Sequence, residues 1–553
     1  YVPSQITFRN VSLAQSPSTL FDVSVRAGQI AAISLSSERR AREGENFDLH
    51  GRTLIAGIDD SHLHLVEMGR AFTAVDLRSA ESNERFVATL RSALPEKNGW
   101  IRGQGWDITS LKGDGPEQRP TGTLIAEAGI NAPTVLGDFT GHSTLVNKSA
   151  LTHAGIDAHT PDPIGGRIDR YSDGTPTGLL FESASALVLA KMPPPSRADL
   201  RRAIMLGVED LLSRGITAFT EPGIGPGADS LLGGAAGEEA LAIYQDLAES
   251  EELPIRTTLM LLFSGLGGSN VKDIASGLEN FGRARPLLPH SFLGIDQVKI
   301  FADGVPRSRT SWMKEAYDDG TCGHMTIEGS SDDERLRELD LIVHEIHQRG
   351  WQAGLHSTGD ATSEAIIESI IRAQKDGRTA GHYLIHGNYL SESNMRRMSE
   401  AGIGLNTNPL IRWMVGQGND TKLGITRARA NQPLRSVLDA GIPLALSSDA
   451  PVSEPDWKRI VVTAHRRDLR DLEASPNDVQ KISLLDGLRS MTEGGARQNR
   501  TEGWRGQIQE GFAADLVLLD RQIDWNDDGS SLLESKVQAT MVAGECKYGS
   551  LEG

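Results

Sequence analysis

Short apolar runs alternate with amphipathic stretches through the last two thirds of the chain, and this alternation restricts the possible folds most. The runs are "GITAFTEPGI" (215–224), "LPIRTTLMLLF" (253–263), "GIDQVKIFADG" (294–304), "GWQAGLHSTGD" (350–360), "AGHYLIHGNYL" (380–390), "AGIGLNTNPL" (401–410) and "AGIPLALSSDAPV" (440–452). Stretches of helical period separate them, such as "DERLRELDLIVHEIHQR" before the fourth. Each run is rich in Val, Ile or Leu and is bounded by Gly, Asn, Asp or Pro. That is the signature of buried parallel strands linked by helices. One earlier run, ending just before His62, makes eight. Eight βα units predict an α/β fold built on a (β/α)8 TIM-type barrel. An open doubly wound sheet is the competing reading, but no Gly-rich dinucleotide fingerprint follows any of the strands.

Chemistry in such a barrel sits at the C-terminal ends of the strands. The first strand leads into His62 and His64, whose i, i+2 spacing on extended backbone aims both imidazoles to one side. The fourth carries Lys299, the fifth His356, the sixth His386, and the eighth ends in Asp449. Taken singly, a strand histidine is usually a hydrogen-bonded core residue and an aspartate before Ala-Pro a turn former. Several such groups on one rim point instead to a metal site, since neutral imidazole and carboxylate are ordinary ligands of divalent zinc. Lys299 is flanked by Val298, Ile300 and Phe301. Its alternatives are a salt bridge, for instance to Asp303, or conversion by CO2 to a carbamate that bridges two cations.

"GIDDSHLHL", "GDFTGHSTLVNKSAL", "GTPTGLLFESA", "VKIFADGVPRSRT", "GLHSTGDATSEAI", "HYLIHGN", "ALSSDAPV" and "GQIQEGFAADLVLLD" stand in this order along nearly the whole chain. Together they resemble the amidohydrolase superfamily, in particular its amidohydrolase 3 branch, which includes N-substituted formamide deformylases. The resemblance implies that His62 and His64 are first-strand metal ligands and that Lys299 is a carboxylated bridging lysine. It implies that His356 and His386 bind a second metal, and that Asp449 binds metal and moves protons. It also implies that both chain ends pair into one small β-sandwich. Two positions depart from the family pattern: Ala56-Gly57 stands where Pro-Gly is usual, and Asp59 replaces an apolar residue. Asp59 would put another carboxylate near the metals if its side chain turned that way.

His64 and Lys299 lie 235 residues apart, whereas two βα units need roughly 70–100. The excess reads as β-rich pieces with Gly turns and is expected to be a substrate-shaping insertion at residues 72–199. Strand-like alternation in "FDVSVRAGQIAAISL" and in "VQATMVAGECKY" sets residues 1–55 and 500–553 apart as the composite β-sandwich. Residues 56–71 and 200–499 are left for the barrel. Within the insertion, His142 matches a family histidine and is expected to hydrogen-bond the substrate carbonyl; Trp106 and Glu182 are further candidates for substrate contact. Past the fourth and seventh strands, Arg307, Arg309 and Arg412 are candidates to hold a carboxylate, and Trp413 to cover an apolar group.

The expected activity is metal-dependent hydrolysis of an amide-type C–N bond of a small molecule by a metal-activated hydroxide. Asp449 and His142 would be the catalytic residues, with one or two divalent ions, zinc first. Deamination or cyclic-amide opening on the same core is the alternative, and a non-catalytic scaffold the alternative of another class. A net charge of −18 disfavours nucleic acid and anionic membranes as partners. No run reaches the roughly 18 apolar residues that span a bilayer. Cys322 and Cys546 are the only cysteines, too few for a disulfide framework or a cysteine-based zinc site. A cytoplasmic location is expected, and the start at Tyr1 leaves a preceding targeting segment open. A homo-oligomer is an open expectation too.

Overall fold

The computed structural model describes residues 5–38, 44–96, 98–163, 165–228, 237–265, 267–470 and 478–552. Eight strands form the barrel: β1 (Ile58–Asp60), β2 (Ile216–Ile224), β3 (Arg256–Leu261), β4 (Leu293–Phe301), β5 (Gln352–Ser357), β6 (Tyr383–His386), β7 (Gly404–Thr407) and β8 (Leu444–Leu446). They lie in sequence order, and every neighbouring pair is parallel. Six of the seven runs after residue 200 contain one of them, and the run 294–304 overlaps β4, which starts one residue earlier at Leu293. All nine residues of β2 and all six of β3 are buried, as expected of parallel strands covered on both faces.

The seam between β1 and β8 is bridged just past the strands. Ser448 N donates to Asp60 Oδ1 (2.9 Å), Asp449 N to His62 O (2.8 Å) and His64 N to Ala450 O (2.7 Å). These bonds press the His62–His64 segment against the Asp449 turn. His64 is also the residue from which helix α1 (Leu65–Ala71) starts.

The barrel interior below the rim is polar. Tyr383 Oη donates to Gln297 Oε1 (2.8 Å), Gln297 Nε2 to Asn499 Oδ1 (2.8 Å) and Asn406 Nδ2 to Gln498 Oε1 (2.7 Å). Buried amides are tolerable there because they satisfy one another. Asp59 faces this lower end and pairs with buried Arg505 at 2.7 Å. It adds no carboxylate to the rim, so the departure from the family pattern leaves the donor set unchanged.

After α1 a six-stranded sheet is inserted, in the order Gly166–Arg170, Pro176–Glu182, Ser143–Val146, Thr134–Asp138, Ile101–Trp106, Val75–Asp76. The chain ends share a third sheet, where Thr53–Ala56 runs antiparallel to Leu516–Leu519. Arg256 on β3 ties that sheet to the barrel through Asp515, with Nε–Oδ2 2.6 Å and Nη2–Oδ1 3.2 Å, both side chains buried. Among the described residues no helix is long and apolar enough to cross a membrane.

Candidate metal centre

His62, His64, Lys299, His356, His386 and Asp449 line one pocket of about 40 Å³ at the C-terminal ends of the strands, with His142 and Phe301. His62, His386 and Asp449 each present a ligand atom, all within 4.8 Å of one another. Asp449 Oδ1 lies 3.4 Å from both His62 Nε2 and His64 Nε2. The His356 and His386 rings are 4.7 Å apart between centroids. His386 and Asp449 hold φ of +71° and +58°, a sparsely populated backbone region for residues other than glycine that clusters at functional sites.

Neighbouring groups fix which nitrogen of His356 and of His386 faces the pocket. His356 Nδ1 donates to Asp303 Oδ1 (3.0 Å), and Asp303 also accepts from Thr358 N and Gly359 N. His386 Nδ1 donates to Asn408 Oδ1 (2.6 Å). The orientation of the Asn408 amide is itself dictated, because its Nδ2 faces the Ser447 carbonyl at 3.3 Å, which can only accept. In both rings Nε2 is left with its lone pair toward the pocket, the arrangement that second partners of metal-binding histidines impose.

Electrostatics favour ligand-ready protonation states. Burial, then the Lys299 charge, holds His62 and His356 well below the ordinary imidazole range. Burial, then His356, lowers His386 to about 3. Burial opposes the charge on Asp449, yet the close approach of His62 and His64, each with Nε2 3.4 Å from Oδ1, keeps it well below the usual carboxylate range. Burial lowers Lys299 to about 7, with Asp449 working the other way. Asp303 is occupied by His356 and two backbone amides, so the alternative Lys299–Asp303 salt bridge does not form. Buried Asp449 Oδ1 and His62 Nδ1 have no hydrogen-bond partner. Neutral imidazoles, an ionised carboxylate and an orphaned carboxylate oxygen suit a divalent cation.

The insertion supplies a second layer over the pocket. His142 Nδ1 lies 2.8 Å from Glu182 Oε2, and Glu182 Oε1 accepts from Thr310 Oγ1 (3.0 Å). Burial disfavours charge on His142, but the Glu182 charge and hydrogen bond outweigh it and raise its pKa. Glu182 therefore orients His142, where the sequence suggested substrate contact.

Other expected substrate residues lie elsewhere. Trp106 is fully buried in the core of the insertion, and its indole N–H donates to Leu136 O. Arg412 is buried and donates to the carbonyls of Arg467 and Asp468. Arg309 pairs with Asp318 at 2.8 Å. Arg307 reaches Thr109 and Asp107 and sits 5.4 Å from the Phe139 ring centroid. Trp413 lines a neighbouring cavity and not the metal pocket. Asp303 and Asn408 were missed as positioning groups. Asn406 and Asn408 stand at i, i+2, so the spacing rule that singles out His62 and His64 could have found them.

The model of the amidohydrolase family matches residues 45–548. An N-substituted formamide deformylase of Arthrobacter pascens is 27% identical, over 95% of this chain and 94% of its own. Protein LONG AFTER FAR-RED 3 of Arabidopsis thaliana is also 27% identical, over 95% and 88%. The crystal structure of an uncharacterized metal-dependent hydrolase from Pyrococcus horikoshii superposes with a TM-score of 0.71. It is 20% identical, with 99% of this chain and 100% of that one covered.

Proposed function

The chain belongs to the amidohydrolase family and is a hydrolase acting on C–N bonds, and we propose that it cleaves the amide bond of a small molecule at a zinc centre of one or two ions. The observation that carries this reading is the convergence of His62, His64, Lys299, His356, His386 and Asp449 on one pocket, with His142 beside them. His62, His64 and Asp449 would hold one ion and His356 and His386 a second, with Lys299 between as a carbamate. To form it, the neutral Nζ adds to the carbon of CO2 and releases one N–H proton to solvent. Bound divalent metal supplies Lewis acidity toward a carbonyl oxygen and lowers the pKa of water toward neutrality.

The side chains divide the remaining work. Asp449 accepts the proton of the attacking water and returns it to the leaving amine nitrogen. His142, held by Glu182, donates to the carbonyl oxygen as negative charge develops there. Phe301 and the surrounding strands wall the pocket, and low-dielectric surroundings strengthen each of these interactions.

Metal removal tests the reading. Dialysis against a chelator should abolish hydrolysis of a small amide panel that includes N-substituted formamides, and stoichiometric zinc should restore it. Undiminished turnover by protein shown to be metal-free would contradict it.

A further inference from the structure

The metal pocket, at about 40 Å³, has room for a reacting carbonyl and a water, and the rest of any substrate must lie outside it. A cavity of about 300 Å³ adjoins it, the size of a small-ligand site. Val452 lines both spaces, and Phe139 in the larger precedes Thr140 in the smaller. The cavity is walled by Phe139 from the insertion, by Leu410, Trp413 and Met414 on helix α2 (Pro409–Leu423), and by Val452 just after Asp449.

Three arginines and two carboxylates also line it; Asp107 is paired with Arg307 at 3.4 Å and Glu454 with Arg78, and the arginines differ in their partners. Arg78 holds Asp76 through Nε (2.9 Å) and Nη2 (2.7 Å) and lies 3.6 Å from Glu454. Arg470 pairs with Glu81 at 2.8 Å. Arg459, on helix α3 (Trp457–Arg466), lies 5.0 Å over the Trp413 ring. Among the described residues it forms no ion pair. A stacked guanidinium keeps its in-plane N–H groups available, and these match a carboxylate.

We propose that this cavity is the subsite for the substituent of the amide, and that it selects an apolar, ring-sized group bearing a carboxylate. The ring packs against Trp413 and Phe139, and the carboxylate meets Arg459. This assignment rests on the amide-hydrolase reading for its catalytic meaning, but its binding chemistry can be measured without turnover.

The test is calorimetric titration of the metal-loaded protein with 3-phenylpropanoate and with 2-phenylethanol, using wild type, Arg459→Gln and Trp413→Ala. Wild type should bind the carboxylate more tightly than the neutral ring compound by about ten-fold or more. Arg459→Gln should collapse that ratio, and Trp413→Ala should weaken both ligands. An unchanged ratio in Arg459→Gln would overturn the proposal, because the carboxylate would then be held elsewhere, the metal centre included. Equal binding of the two compounds by wild type would overturn it as well. A parallel assay compares N-acetylphenylalanine with N-acetylphenethylamine, and the Arg459→Gln ratio of kcat/KM should fall by a similar factor. If neither these amides nor the formamide panel is hydrolysed while the titrations behave as expected, the amide reading fails and the subsite stands.

Discussion

Lys299 has its Nζ 3.5 Å from His62 Nε2 and 4.6 Å from the centroid of the Phe301 ring, and among the described residues it forms no ion pair. An ammonium so buried is poorly solvated, which is why its pKa falls to about 7. Asp449 is the opposite case, a carboxylate held ionised by the histidines around it. The two substitutions should therefore fail differently. Lys299→Ala should lose metal along with activity, and a small carboxylic acid such as propionate should restore part of both by filling the bridging position. Asp449→Asn keeps an oxygen toward the pocket but loses the proposed base, so turnover should fall by roughly 10²–10⁴ while much of the metal stays. Metal content and kcat measured on both variants check this; a fully metallated, fully active Lys299→Ala would refute the carbamate. The placement of these residues was legible because strand ends share a rim. Asp303, Asn408 and the role of Glu182 were not, because a partner for a ring nitrogen is chosen by three-dimensional proximity. Trp106 misled because a large aromatic beside glycines reads alike in a core and in a cleft.

Seven of the eight barrel strands were legible as elements because burial on both faces favours apolar runs between turn residues; β1 is Ile58 and two aspartates, and the apolar Thr53–Ala56 before it joins the sheet of the chain ends. What their period could not reveal is the chemistry at the other end of the barrel. His382, just before β6, accepts from Ala353 N through Nδ1 (2.9 Å), so its Nε2 carries the proton toward His347 Nδ1 (3.0 Å). His347 Nε2 in turn lies 3.1 Å from Asp376 Oδ1. Burial, then the charges of His347 and Arg500, lowers His382 to about 3. In the unfolded chain it titrates near 6.5. Between those values the unfolded state binds the extra proton, so stability falls as pH falls, by about 1.4 kcal/mol per pH unit. His382→Asn should be less stable at pH 7. On going to pH 5 it should lose about 2 kcal/mol less than wild type. Urea unfolding of both metal-free proteins at the two pH values measures the difference, and identical losses would exclude His382 as the source.

At the scale of the molecule, the site exists only because distant segments converge. His62 and His64 stand near residue 60 and Asp449 near 450, and the seam between β1 and β8 brings them within 3.4 Å. The insertion contributes His142 from a sheet of its own, and the two chain ends join a sheet anchored to β3 through the Arg256–Asp515 pair. The β-rich character of the flanks was readable from alternation. The polar barrel interior was not, since Gln297, Asn406 and Gln498 are acceptable only as a mutually satisfied set. The measurement that bears most directly on the account is anomalous diffraction at the zinc edge from crystals of the zinc-loaded protein. It should place one or two peaks among His62, His64, His356, His386 and Asp449, with ligand distances of roughly 2.0–2.2 Å. A fully loaded, active protein with no anomalous peak in this pocket would contradict it.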